Sequence, residues 1–167
     1  MNTDSTQIKT DKTPMNTDSP QMKTDKTQDP RQTQMPANAF RIPIQIRFND
    51  VDMVGHVNNV IFGHYCDVAR YRFMHEVMPI RQQFMTDNRI LILVHTEFDF
   101  LMPSTLDDSL FVETAVEGVG ERSVRVLQEI KDDAGRIHVR SRSVMSTFDK
   151  TTGHSFPLPL EWVGNLL

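Results

Sequence analysis

Twelve consecutive residues, Phe48-Asn49-Asp50-Val51-Asp52-Met53-Val54-Gly55-His56-Val57-Asn58-Asn59, bring together two carboxylates, an imidazole, a glycine and amide side chains. A carboxylate just ahead of a helix can attack an electrophilic carbon or take a proton from water. The first N–H groups of that helix lack intrahelical partners and carry the positive end of its dipole. They can therefore receive an oxyanion developing on the same carbon, and donors fixed in this way contribute typically ~3–4 kcal/mol to a transition state. A glycine between the two lets the chain turn tightly enough for both to face one atom. Here the parts are Asp52, the backbone N–H near Asn59, and Gly55. Asn58 is the expected helix cap. His56 either orients Asp52 or water, or hydrogen-bonds the loop, and the sequence leaves both open. Asp50 reads as a structural turn residue.

The flanking patterns say what must position these groups. Phe40, Ile42, Ile44, Ile46 and Phe48 alternate with Arg41, Pro43, Gln45 and Arg47, the period of a half-buried strand. Pro43 cannot donate to a ladder, which places this strand at an edge. A helix is expected from Asn59 to Val77, ended by Pro79. Phe62, Tyr65, Ala69, Phe73 and Val77 recur at steps of three and four along it. Its circumference is apolar enough that it should be enclosed. The remainder reads as strands: Ile90–Val94 running on to Phe100, Leu110–Val116, Ser123–Ile130 and Ile137–Phe148. Gly118 and Gly120 mark one turn, and Asp132-Asp133-Ala134-Gly135 the next. One helix cannot cover both faces of a five-stranded sheet. The expected fold is therefore α+β, an antiparallel sheet wrapped around one long central helix, with the outer face left for a second subunit.

Other chemistry-bearing residues have plainer readings. Asp67 is spaced to pair with Arg70 or Arg72. His56, His64, Cys66 and Asp67 lack a standard metal-ligand spacing, so no metal is expected. His75-Glu76 has no second histidine at helical spacing and is not a zinc-protease motif. Cys66 shows no sign of activation and should be packed. Arg122, Arg125, Arg140 and Arg142 suit either phosphate groups or the solvated face of two strands.

The chain has 167 residues and a net charge of −4. No Lys/Arg block supplies a phosphate-neutralising footprint, which argues against a nucleic-acid partner. No apolar run spans a bilayer, and the N-terminus lacks a secretory layout. A cytoplasmic location is expected. Residues 1–14 and 15–28 form a tandem duplication, eleven of fourteen positions being identical. With no aromatic residue and little to bury, residues 1–36 cannot offset the entropy of ordering and are expected to be a disordered tail. The folded domain is placed at 37–167.

Asp52-x-x-Gly55-His56-Val57-Asn58-Asn59, followed by a helix carrying Tyr65-x-Asp67-x-x-Arg70, resembles the hotdog-fold thioesterases of the 4-hydroxybenzoyl-CoA thioesterase type. Pro103, Asp108, Gly135, Asp149-x-x-x-Gly153 and Pro157-x-Pro159 agree with that likeness, which covers residues 40–160. The resemblance implies a hotdog domain, a homodimer or homotetramer with active sites between subunits, and a role in lipid metabolism. It implies an acyl-CoA thioester as substrate and no cofactor. Asp52 falls at the catalytic carboxylate and the N–H near Asn59 at the carbonyl-polarising donor. His56, Gly55, Asn58 and Asp67 fall around them. In relatives with the His-Val-Asn-Asn form, an additional catalytic asparagine stands two positions after the aspartate; Val54 occupies that place here. The helix acid, often glutamate, is the shorter Asp67. Two other readings belong to the same fold. A hydratase or dehydratase of acyl thioesters resembles a pattern with Asp and His separated by four residues, against three here. A non-catalytic acyl-CoA-binding module is expected to lack the acid.

Overall fold

The structure, a computed structural model, describes residues 34–78, 88–164 and 166. The tandem duplication and Pro79 lie outside the described residues. Residues 34–36 are described, and Ala39 N–H closes on the Pro36 carbonyl ahead of the first strand.

The elements are β1 (Phe40–Ile44), α1 (Asn59–Glu76), β2 (Arg89–Phe100), β3 (Leu110–Val119), β4 (Ser123–Asp132) and β5 (Ile137–Asp149). The five strands form one antiparallel sheet in the order β1-β3-β4-β5-β2. One helix against a five-stranded antiparallel sheet is the expected hotdog arrangement. β1 is an edge strand, as Pro43 requires. It is shorter than its alternation predicts. The chain leaves the ladder after Ile44, and Phe48–Asp50 form a 3-10 turn that leaves Phe48 85% exposed.

Two bulges explain where strand patterning and structure part. The apolar run Ile90–Val94 crosses from one phase to the other because β2 carries an extra residue between Leu93 and His95. Gly118 is not a turn residue but part of β3, at a second register shift. A Cβ there would meet the Arg125 guanidinium, the far end of an exposed side chain that would have to move aside.

The core lies between α1 and the inner sheet face, in two apolar clusters. One, beneath the start of α1, contains Val57, Phe62, Cys66, Ala69, Ile42, Val112, Ile130 and Val139. The other, beneath its end, contains Phe73, Met74, Leu91, Val126 and Met145, and is closed by Leu158, Trp162 and Val163. Buried polar groups stand among them. Arg70, 6% exposed, donates to Gln128 Oε1 and Ser143 Oγ, both at 3.3 Å, and ion-pairs with Asp67. Gln128 Nε2 in turn donates to the Cys66 carbonyl and the Thr114 hydroxyl. Among the described residues no buried side-chain nitrogen or oxygen lacks a partner.

One expectation is corrected. Val60, Val68 and Tyr71 are exposed, so one flank of α1 is open rather than enclosed within a single chain. The outer sheet face, expected to be left for a second subunit, carries ion pairs. Lys131 Nζ lies 2.7 Å from Glu113 and 2.8 Å from Glu129, Arg140 lies 2.6 Å from Glu129, and Arg142 lies 3.3 Å from Glu117. Arg140 and Arg142 thus stand in an ion-paired face. The exposed apolar side chains instead include Leu93, Val94 and Phe100 on the edge strand β2.

Replacing Arg70 with alanine removes the donor facing Gln128 Oε1 in the core. An unsatisfied buried group costs about 1–3 kcal/mol, so the urea unfolding midpoint of Arg70→Ala should fall by about that much stability. Asp67→Ala leaves the buried Arg70 guanidinium without its carboxylate and should cost about 1–3 kcal/mol in the same assay.

Candidate active site

The loop between β1 and α1 is held at both ends. Asp50 Oδ2 accepts the Arg47 N–H at 2.8 Å and the Tyr65 O–H at 2.7 Å. The Asp50 carbonyl accepts the Asn58 N–H at 2.9 Å, tying the exit of the loop to its entry. Asp50 is thus the structural residue expected. Burial, and then the bond to Asp50, push the Tyr65 hydroxyl well above the usual tyrosine range, so it remains a donor.

Inside this frame residues 52–56 close on themselves. Asp52 N–H donates to the His56 carbonyl at 2.8 Å, and Gly55 N–H to the Asp52 carbonyl at 3.0 Å. Gly55 has φ of 83°, a conformation that residues with a Cβ adopt only at a cost. Asp52 Oδ1 accepts the N–H groups of Val54 (2.9 Å) and His56 (3.3 Å), which fixes the carboxylate over its own loop. Oδ2 takes no hydrogen bond among the described residues. The tie to His56 runs through its backbone.

The start of α1 can be accounted for donor by donor. Val57 N–H goes to the Ser104 carbonyl at 2.8 Å, and Asn58 N–H to Asp50. Val60 N–H is capped by Asn58 Oδ1 at 3.0 Å, and Ile61 N–H goes to the Asn58 carbonyl at 2.9 Å. Asn58 is therefore the expected cap. Of the five N–H groups from residue 57 to 61, the one without a partner among the described residues is that of Asn59. It sits at the first helical position, where the dipole favours negative charge.

Asp52, His56 and Asn59 line one cleft of about 270 Å³. Val57 and Phe62 complete that wall, and Phe100, Leu101, Met102 and Pro103 form the other. This second wall was not anticipated. Pro103 stands only as a landmark of the likeness, and the cleft is made by a strap leaving β2, far from the motif in sequence. A separate cavity of about 280 Å³ between β1 and α1 touches Asp50 and Tyr65 but not Asp52.

Asp67 is drawn to Arg70, and Arg72 pairs with Glu76 at 2.7 Å. Cys66 is buried, and burial pushes its thiol up to about 12, so it is no nucleophile. Among the described residues no three His, Cys, Asp or Glu side chains are grouped to hold a metal ion, and no helix is long and apolar enough to cross a membrane.

A family model described as the thioesterase-like superfamily matches residues 46–167. The chain belongs to the thioesterase-like superfamily. Among its relatives, the acyl-CoA thioesterase YbgC of Haemophilus influenzae is 28% identical over 83 residues, a match covering 49% of this chain and 61% of that protein. The structure of a thioesterase from Thermus thermophilus, complexed with coenzyme A and Zn, is 27% identical with a TM-score of 0.64, over 75% of this chain and 90% of that one. A 1,4-dihydroxy-2-naphthoyl-CoA thioesterase from Synechocystis shares the fold at 21% identity, with a TM-score of 0.64 over 74% of this chain and 92% of its own. For this superfamily member, the match begins at Ile46, so it takes in the whole Asp52 loop and all of α1.

Asn58→Ala removes the cap on Val60 and should lower stability by ~1 kcal/mol. Asn58→Asp keeps the acceptor and should unfold close to the native midpoint in a thermal melt.

Proposed function

We propose that this protein hydrolyses an acyl-CoA thioester to a free acid and coenzyme A. The observation that carries the reading is one cleft lined both by Asp52 and by Asn59, whose N–H has no partner among the described residues, in a member of a thioesterase-like superfamily. The coenzyme A bound in the Thermus relative, and the name of the Haemophilus one, support the choice of thioester.

Asp52 acts as nucleophile or as general base. As nucleophile it adds to the thioester carbonyl, expels the thiolate and leaves a mixed anhydride for water to cleave. As base it takes a proton from the water that adds directly. Either route puts negative charge on the carbonyl oxygen, where a fixed backbone donor is most effective. His56 faces the same cleft and serves as an auxiliary group. Phe62 and Phe100 offer apolar surface to the acyl portion.

The active unit in this reading is a dimer or a tetramer. β2 is a twelve-residue edge strand with unpaired backbone groups and exposed Leu93, Val94 and Phe100. Such an edge is a template for pairing with a second copy. Met53, Val54 and Val60 are exposed beside Asp52, an apolar rim that a second subunit would cover.

Asp52→Asn should lower kcat at least ~100-fold, as for loss of a primary catalytic group, with assembly unchanged by size-exclusion chromatography. Turnover near the native rate would reject the assignment. His56→Ala should cost less, and deletion of residues 1–36 should leave turnover unchanged. Position 59 offers a cleaner probe. Proline is tolerated at the first helical position and lacks the N–H. Asn59→Pro should therefore keep the helix and lose ~100–1000-fold in kcat, whereas Asn59→Ala keeps the donor and should turn over at close to the native rate. Free thiol released from an acyl-CoA panel measures all of these.

A further inference from the structure

Outside the motif, three side chains that the proposed chemistry does not use are joined behind the cleft. Ser104 and His138 are 0% and 2% exposed. Ser104 Oγ lies 2.7 Å from His138 Nδ1, which also lies 3.1 Å from the Pro103 carbonyl. His138 Nε2 lies 3.5 Å from Asp132 Oδ2. Asp132 is itself fixed at the β4–β5 hairpin, where it accepts the Arg136 N–H at 2.9 Å and pairs with the Arg136 guanidinium at 2.6 Å. Burial works against its ionisation, but those bonds and the one to His138 outweigh it and hold its carboxyl down at about 2.

Serine, histidine and aspartate in a row suggest a nucleophile, and the geometry argues otherwise. Ser104 has no exposed surface for a substrate to reach. The arrangement is suited to holding the strap. The His138 carbonyl accepts the N–H groups of Leu101 (2.8 Å) and Met102 (3.1 Å), while its ring takes Pro103 and Ser104. One residue of β5 thus grips four consecutive residues of the strap. The Ser104 carbonyl then accepts the Val57 N–H, two residues before Asn59. Leu101, Met102 and Pro103 face Asp52 across the cleft.

We propose that His138, bonded to Ser104 and backed by Asp132, is a positioning residue that sets the gap between the strap and the Asp52–Asn59 wall of the cleft. The claim rests on the thioester-hydrolase reading for its kinetic consequence, though not for its structural one. A shift of about 1 Å in a site can cost ~100-fold in rate without touching the reacting groups. Loss of the Ser104 hydroxyl or the His138 ring should therefore appear in kcat while KM stays put. Asparagine at 138 can still place a side-chain donor near the Nδ1 position, so it should restore what leucine loses.

The test uses the full chain with S104A, H138L and H138N, and D52N beside them. Amide hydrogen exchange at Val57 reads the joint directly, whatever the reaction. It should quicken at least tenfold in S104A and H138L and return toward native in H138N. On the acyl-CoA panel, S104A should lose ~10-fold in kcat and H138L ~100-fold, with KM within twofold of native and H138N within threefold of native kcat. Native Val57 exchange and native kcat in folded S104A would overturn the proposal even if H138L failed to fold. So would a loss in H138N as deep as in H138L. Full activity in D52N would reject only the role given to Asp52, whereas no thiol release by the native chain would reject the hydrolase reading and leave the exchange result to decide the positioning role.

Discussion

The hydrogen bond from Val57 N–H to the Ser104 carbonyl joins the two halves of the site. One half is local: a loop of twelve residues whose acid, glycine and cap are close in sequence. The other is a strap delivered from the far edge of the sheet. Neither wall encloses a cleft alone. The bond also removes one of the donors at the start of α1, and Asp50, the Asn58 side chain and the Asn58 carbonyl remove three more. Among the described residues what remains is one N–H, that of Asn59, which lines the same cleft as Asp52. The site follows from this accounting of donors as much as from the residues that name the motif.

That accounting requires α1 to hold its height and rotation over the sheet. Apolar packing alone tolerates small slides, because one methyl group substitutes for another. The polar contacts of Arg70 do not, since a buried guanidinium shifted away from Gln128 would leave groups without partners. The polar group beneath the middle of α1 therefore fixes its register, while the clusters under its two ends supply most of the burial.

Much of this is legible in the residues. The Asp52–Asn59 loop, the cap at Asn58, the edge position of a proline-bearing first strand and the order of one strand, one helix and four strands all follow from local chemistry. What is not legible has a common cause. The bulge between Leu93 and His95 changes the phase of β2, so the run Ile90–Val94 looks uniformly apolar although its residues serve different faces. Gly118 reads as a turn because nothing local reveals that the ladder between β3 and β4 continues through it to Val119. His138 shares the outward phase of Arg140 and Arg142, and alternation alone would send it to solvent. It is buried because the strap, thirty-odd residues earlier, folds across it. Each depends on how a segment pairs or packs with another, not on its own run of residues.

The ion-paired outer face of the sheet has a consequence for assembly. Lys131, Arg140 and Arg142 meet Glu113, Glu129 and Glu117 there in alternating sign, with little of either charge exposed. Any layer laid against it must match that checkerboard or strip water from charges already paired, which is costly. Contacts made on this face would loosen as ionic strength rises, since screening weakens charge pairs first. Contacts along the apolar edge of β2 would tighten under excluded salts such as sulfate, which strengthen apolar burial. The two surfaces would thus answer salt in opposite directions, and the one molecule carries both.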